Sequence, residues 1–237
     1  MELIILASGR GSRLKTNNNK PKCFTKVFQK TLLEHLSINF RKFEKTFIIV
    51  GYKSYLFKKL KFKNFRIIIN KNYRSSNMVQ SLYCAKKLIK KDVVIVYSDI
   101  IFDPKIIDKL ISKKNSSLAL KKNWLSIWKK RMNIKEIFKD AENIEFSKTK
   151  ILAIGQKIKT LPKAQFMGLI KLKKKDYNLS MKFYEKIKNP NIDMTSFLDL
   201  LIKNKIIDLN YFLTKKFWYE IDTPSDLISL KKMKVNF

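Results

Sequence analysis

Glycine, cysteine and histidine are scarce in this chain of 237 residues, which holds five glycines, two cysteines and one histidine. His35 alone, with Cys23 and Cys84 outside any metal-type spacing, leaves no ligand set for zinc and no histidine-centred triad. Two thiols without a disulfide framework suit a reducing compartment. No apolar run approaches the ~20 residues of a membrane-spanning helix. Met1-Glu2 leads directly into a strand pattern rather than a leader. The expected location is the cytoplasm, with no membrane partner. Acidic residues are also few, 19 against 52 basic ones, for a net charge of +33. Such a surplus raises a non-enzymatic nucleic-acid binder as one alternative. Yet only six of the basic residues are arginine, and the 46 lysines are spread along the chain rather than gathered in a stripe. Abundant Lys, Asn, Ile and Phe together match the output of an AT-rich genome. No specific nucleic-acid partner is expected, and any such contact should be weak and salt-sensitive. A positive field would still attract small polyanions.

Where glycine is so rare, its positions are informative. Two of the five, Gly9 and Gly11, stand two residues apart after the apolar run Leu3-Ile4-Ile5-Leu6-Ala7. A tight turn carrying basic residues is one reading of Gly-x-Gly. The other is an anion cradle, in which successive main-chain N–H groups face a phosphate chain at the end of a strand. Arg10, Arg13 and Lys22 supply full charges beside it, and Leu6, Ala7, Ser8 and Ser12 complete the loop.

Apolar, β-branched runs recur at 2–7, 46–50, 65–69, 93–97, 116–120, 150–154, 165–171 and 206–213, the pattern of strands buried on both faces. Helical spacing appears over 31–43, 77–89, 104–112, 173–188, 194–204 and 224–234. Strand–helix alternation through residue 112 predicts βαβ units, a mainly parallel sheet and an α/β fold in one domain. Val93–Tyr97 runs into Ser98-Asp99, which places an acid at the strand edge that carries the glycine loop. Phe217–Ile221 runs into Asp222 before Thr223-Pro224. Two carboxylates meeting there are hard-oxygen ligands for Mg²⁺. For either acid alone, capping of the next element is an equal reading.

Three stretches carry a family resemblance. Leu6-Ala7-Ser8-Gly9-Arg10-Gly11-Ser12-Arg13-Leu14 with Pro21-Lys22, then Ser98-Asp99, then Glu220-Ile221-Asp222-Thr223-Pro224-x-Asp226-Leu227 resemble the signatures of nucleotidyltransferases. These enzymes join a nucleoside triphosphate to a phosphorylated small molecule. Ser8 replaces the family's usual Ala or Gly, and the gap from Leu14 to Pro21 is about one residue short. The pattern is most similar to small cytidylyltransferases acting on phosphocholine, phosphoglutamine or 2-aminoethylphosphonate. Asn77-Met78-Val79-x-Ser81-Leu82, Trp124…Trp128…Arg131, Asp140-Ala141-Glu142 and Met194-Thr195-Ser196-Phe197 add to it.

The resemblance implies a Rossmann-like α/β domain with a mainly parallel, mixed sheet flanked by helices. Residues 1–112 would form a nucleotide-binding half and 113–237 an acceptor-binding half. It implies Mg²⁺ on Asp99 and Asp222, catalysis by Lys22 and Arg13, and CTP held by residues 6–13, Lys22, Asn77 and Ser81. Asn77 and Ser81 read equally well as helix-capping residues. Trp218, Trp128, Arg131 and Glu220 are candidates for the acceptor. An aromatic ring near the metal edge would hold a cationic head group, and Arg131 would pair with a substrate anion or with Asp140 or Glu142. Trp124 reads as core, and Asp226 as a cap. A sugar-1-phosphate nucleotidyltransferase using UTP, dTTP or GTP is the enzymatic alternative. Either a monomer or a homodimer fits.

Overall fold

The computed structural model describes residues 1–14 and 19–233. Part of the polar gap after Leu14 lies outside them, as does Lys234, the last residue of the 224–234 helix pattern. The first run forms β1 (Glu2–Ala7), buried at every position. Leu3, Ile5 and Ala7 pack into the core on one face of the sheet, while Ile4 and Leu6 pack into the core on the other. Burial on both faces is why the run is continuous rather than alternating.

The chain continues through β2 (Lys26–Val27), β3 (Lys30–Thr31), α1 (Leu32–Ser37), β4 (Lys45–Val50) and β5 (Phe65–Ile69). Next come α2 (Met78–Tyr83), β6 (Val93–Tyr97), β7 (Ile100–Phe102), α3 (Lys105–Ile111), β8 (Ser117–Lys121), α4 (Trp124–Trp128) and α5 (Ile134–Asp140). The remainder is β9 (Glu142–Phe146), β10 (Ile151–Lys157), β11 (Gln165–Leu172), α6 (Lys174–Ile187), α7 (Met194–Lys203), β12 (Asn210–Thr214), β13 (Trp218–Glu220) and α8 (Pro224–Lys232).

Seven strands form one sheet in the order β12-β8-β11-β6-β1-β4-β5. All adjacent pairs are parallel except those of β11, which runs against both β6 and β8. The fold is therefore α/β with a mainly parallel, mixed sheet. From β1 the chain builds outward to β4 and β5, then returns to β6 on the other side. This reversal beside β1 opens a crevice at the strands' C-terminal ends, where such sheets bind ligands.

Several expected elements differ. The 65–69 run is buried on neither face at Arg66 and Ile69, because β5 is the sheet edge. The 150–154 run leaves the main sheet and pairs with β9 in a hairpin against α7. The 77–89 helix is α-helical only to Tyr83. Ala85, Lys86 and Leu88 then donate to carbonyls three residues back, which keeps Ala85 and Ile89 in the core. The 31–43 pattern splits after Ser37, and only Asn210–Thr214 of the last apolar stretch pairs as strand.

Candidate active site

Two strand ends and one short ribbon assemble the site. β7 pairs antiparallel with β13, Ile100 opposite Glu220, and Ile221 N–H donates to the Asp99 carbonyl at 3.0 Å. This ladder sets Asp99, Glu220 and Asp222 side by side although 121 residues separate the first two. One carboxylate oxygen from each lies within 4.8 Å of the others.

Lys22 enters this group from the turn that follows Pro21. Its ammonium donates to Asp99 Oδ2 at 2.7 Å and to Asp222 Oδ1 in a short contact. Burial alone would lower the Lys22 pKa, but Asp99, Asp222 and Glu220 outweigh it and hold the ammonium above the ordinary lysine value. Burial and the charges of Asp222 and Asp99 hold the Glu220 carboxyl well above the ordinary range. Asp99 Oδ1 is buried without a hydrogen-bond partner. Three hard-oxygen donors, one of them orphaned, facing a single ammonium are a fitting set for Mg²⁺.

The glycine loop lies against Lys22. Gly11 has φ +66°, and a Cβ there would stand 2.8 Å from Lys22 Cβ, so only glycine lets the loop close over the lysine. A Cβ on Gly9 would meet nothing within 4 Å, which leaves that side of the loop open. The loop borders a cavity of about 210 Å³ that runs from Gly9, Gly11, Lys22 and Asp99 to Asn77 and Ser81. Leu6, Ala7 and Ser8 also line it.

Three loop residues lie elsewhere. Arg10 and Ser12 are exposed and outside this wall, Arg10 resting 5.7 Å from the Tyr52 ring centre. Arg13 turns to the other side of the acids and donates to Asp222 Oδ1 at 3.2 Å with its side chain 65% exposed. Asn77 is committed as the α2 cap, its Oδ1 accepting from Met78 N–H and its Nδ2 donating to the Asn191 carbonyl. Asn70, Tyr73, Ser76 and Ser98 line the same cavity and were not among the site residues expected from the sequence. Asn70 directly follows β5 at the ligand-binding edge, a position that could have flagged it.

A second cavity, of about 190 Å³, opens on the far side of the acids. Glu220, Asp222, Arg13, Trp128 and Trp218 line it, and Met78 borders both cavities. Neither indole offers an open face. Trp218 is 1% exposed and its Nε1 donates to the Met167 carbonyl. Trp128 is 4% exposed, with Trp124 packed edge-on and Arg131 over its ring. Trp124 is core, as expected, and its Nε1 donates to the Pro162 carbonyl.

Arg131 lies outside this cavity and takes none of its expected partners. It donates from Nε to Asp226 Oδ1 at 2.8 Å and stacks on Tyr219, a buried cation matched to a buried anion. Asp226 also accepts the main-chain N–H groups of Asp222 and Thr223, so it caps α8 and anchors the acid loop.

The wall opposite the indoles carries Asp140, Glu142, Asp193 and Thr195. Thr195 Oγ1 lies 2.7 Å from Glu142 Oε1 and 3.0 Å from Asp193 Oδ1. Gln165 clamps the Glu142 main chain, donating to its carbonyl and accepting from its N–H. Burial and the charges of Asp193 and Asp140 hold the Glu142 pKa above its usual value. Among the described residues, none of these three carboxylates has a lysine or arginine within 4.0 Å. Asp193 is also the cap of α7, accepting from the Ser196 N–H and hydroxyl.

The family model of the MobA-like NTP transferase domain matches residues 3–122. The CTP:phosphoglutamine cytidylyltransferase of Campylobacter jejuni is 29% identical, over 96% of this chain and 98% of that one. Two solved structures share the fold across nearly the whole length. The inositol-1-phosphate CTP transferase from T. maritima superposes with a TM-score of 0.76 at 20% identity, covering 98% of this chain and 96% of its own. The CTP:phosphocholine cytidylyltransferase from Streptococcus pneumoniae gives 0.73 at 20%, covering 98% and 97%.

Proposed function

The chain belongs to the MobA-like NTP transferase family, and from that premise we propose that it transfers a cytidylyl group from CTP to a small phosphate or phosphonate acceptor carrying an amino group. The observation that carries this reading is the junction itself. Asp99, Glu220, Asp222 and Lys22 stand where two cavities meet, one edged by the glycine loop and one walled by carboxylates.

CTP occupies the first cavity with its phosphates against the loop N–H groups and its base toward Ser81. The acceptor occupies the second, its ammonium against Glu142 and Asp193. An oxygen of the acceptor's phosphoryl group forms a bond to the α-phosphorus. The bond from that phosphorus to the α–β bridging oxygen breaks, and its electron pair leaves on pyrophosphate. The attacking oxygen is already ionised near neutral pH, so no general base is needed. Asp99 and Asp222, with Glu220 in reach, would hold Mg²⁺, which when bound neutralises phosphate charge. Lys22 supplies positive charge to the α-phosphate as it becomes five-coordinate. Arg13, tethered only lightly to Asp222, is placed to turn toward the leaving pyrophosphate. The two cavities hold the reactants in line, and positioning with electrostatics carries the rate.

Pyrophosphate release tests the reading, measured with CTP, UTP, dTTP or GTP against phosphocholine, 2-aminoethylphosphonate, phosphoglutamine, glycerol phosphate and glucose-1-phosphate. CTP with an aminated acceptor is expected to be fastest. Faster turnover of UTP or dTTP with glucose-1-phosphate would replace this assignment with a sugar nucleotidyltransferase.

A further inference from the structure

We propose that a pocket between the end of α1, the β2–β3 turn and β7 binds a small molecule built of an apolar ring with an amide edge, at a site separate from both cavities of the transfer reaction.

The pocket has a volume of about 210 Å³ and shares no lining residue with either of those cavities. Phe28, Leu36, Ile38, Ile101 and Phe102 give it apolar walls. A cavity of about 150 Å³ with walls of this kind holds benzene, so the volume here suits a fused pair of rings. Asn39 also lines the pocket and is 4% exposed. Its main chain is fully committed, the N–H to the Leu36 carbonyl and the carbonyl to the Lys42 N–H, both at 3.0 Å. Its side-chain amide makes no hydrogen bond among the described residues, and Oδ1 is buried without a partner. The neighbouring His35 ring is turned to the Val27 carbonyl, with Nε2 at 2.8 Å. A buried amide is ordinarily paired, and its complement is a second amide. One edge then supplies a donor for Oδ1 and an acceptor for Nδ2, whichever way round the Asn39 amide is turned.

One wall of the pocket is built against local preference. Two residues, Phe28 and Gln29, join β2 to β3, with φ of +47° and +67°. Asparagine and glycine take such a turn readily, whereas a bulky aromatic residue is strained there. The turn holds the Phe28 ring at the pocket with 37% of its surface exposed, and Ile38 is 43% exposed. Strain that keeps an apolar ring in water beside an unpaired amide fits a ligand clamp, where a bound ring covers both.

Isothermal titration of the full chain tests this with oxindole, a fused ring carrying a lactam edge, and with 2-indanone, in which a methylene replaces the N–H. The wild type should bind oxindole about tenfold more tightly than 2-indanone. Asn39→Leu should abolish that preference without lowering the melting temperature, because the amide makes no bond within the fold. Phe28→Asn combined with Gln29→Gly suits the turn better. It should therefore raise the melting temperature while weakening oxindole binding severalfold, a pairing that a merely structural Phe28 would not give. Absence of oxindole binding by the wild type, equal affinity for 2-indanone, or oxindole binding unchanged in either variant would overturn the proposal. If Asn39→Leu is unfolded, the turn variant decides by the same criterion.

Discussion

Among the described residues, Lys22 is the one cation that contacts two of the three carboxylates, with Arg13 exposed beside Asp222 and Arg131 4.0 Å from Glu220, and that arrangement sets what substitutions there should do. Asp99, Glu220 and Asp222 repel one another, and burial together with that repulsion raises the Glu220 pKa. Removing one carboxylate relieves repulsion in the folded state while withdrawing a metal ligand. Asp99→Asn and Asp222→Asn should each lower kcat by about 10²-fold or more while the melting temperature does not fall. Near wild-type turnover at saturating Mg²⁺ would refute the metal assignment. Glu142 supports a different test at the far wall. Glu142→Gln keeps the Thr195 contact but removes the charge facing the acceptor, so KM for an aminated acceptor should rise about tenfold, as for loss of a charge-assisted hydrogen bond. KM for CTP should stay put. In the wild type the same rise should appear on acidification, beginning at milder pH than for an ordinary carboxylate because the Glu142 pKa is already raised. Equal shifts in both KM values would place Glu142 in the scaffold only.

Elements matter here chiefly as devices that bring distant residues together. The three-residue ribbon of β7 and β13 aligns Asp99 with Asp222, and α8 holds the second acid through Asp226. Arg131, just past α4, locks α8 by its bond to Asp226, with the guanidinium and carboxylate both nearly sealed from water. Arg131→Met would leave Asp226 buried and unpaired, which costs about 3–5 kcal/mol, or roughly 10 °C in melting temperature for a chain of this size. Adding Asp226→Asn should recover part of the loss. A shift under about 2 °C in the single variant would show the pair to be dispensable. The same elements divide what could be read in the sequence from what could not. β1, its glycine loop and Asp99 were legible because doubly buried strands leave long apolar runs that end abruptly at polar residues, and Asp222 because Glu220–Leu227 resembles a family signature. β7 is too short for any period to register. The β9 ladder is written in mixed residues, Glu142-Asn143-Ile144-Glu145-Phe146, with only Ile144 buried. Arg131 and its partner lie 95 residues apart, so the sequence suggested a substrate anion, Asp140 or Glu142 where the fold supplied Asp226. Trp218 lies beside the acids as its spacing indicated, but β13 packs it into the core rather than beside an open face.

The whole molecule carries its charge surplus even into the interior. Lys121 is 1% exposed, and its ammonium donates to the main-chain carbonyls of Lys215, at 2.8 Å, and Lys216. Lys171 is buried and donates to the carbonyls of Ile111 and Lys113, at the C-terminal end of α3, where positive charge is favoured. Neither has a carboxylate partner at salt-bridge distance among the described residues. Burial pulls the Lys121 pKa down to about 8 and lowers that of Lys171. In the unfolded chain both return to the ordinary lysine value of ~10.4. Between about pH 8 and that value the unfolded chain binds more protons than the native one, so stability rises as pH climbs through this window. Self-repulsion of the +33 surface acts in the same direction, since raising pH discharges lysines, and salt relieves it by screening. The melting temperature should therefore increase from pH 7 to pH 10 and from low to moderate ionic strength. Calorimetry on the wild type and on Lys121→Met separates the two causes. The variant should show a shallower rise with pH and an undiminished response to salt, because its change removes a buried titration and leaves the surface field in place. A melting temperature that is flat or falling across that pH range would mean that the main-chain carbonyls stabilise the buried ammonium fully, and that its charge does not oppose the fold.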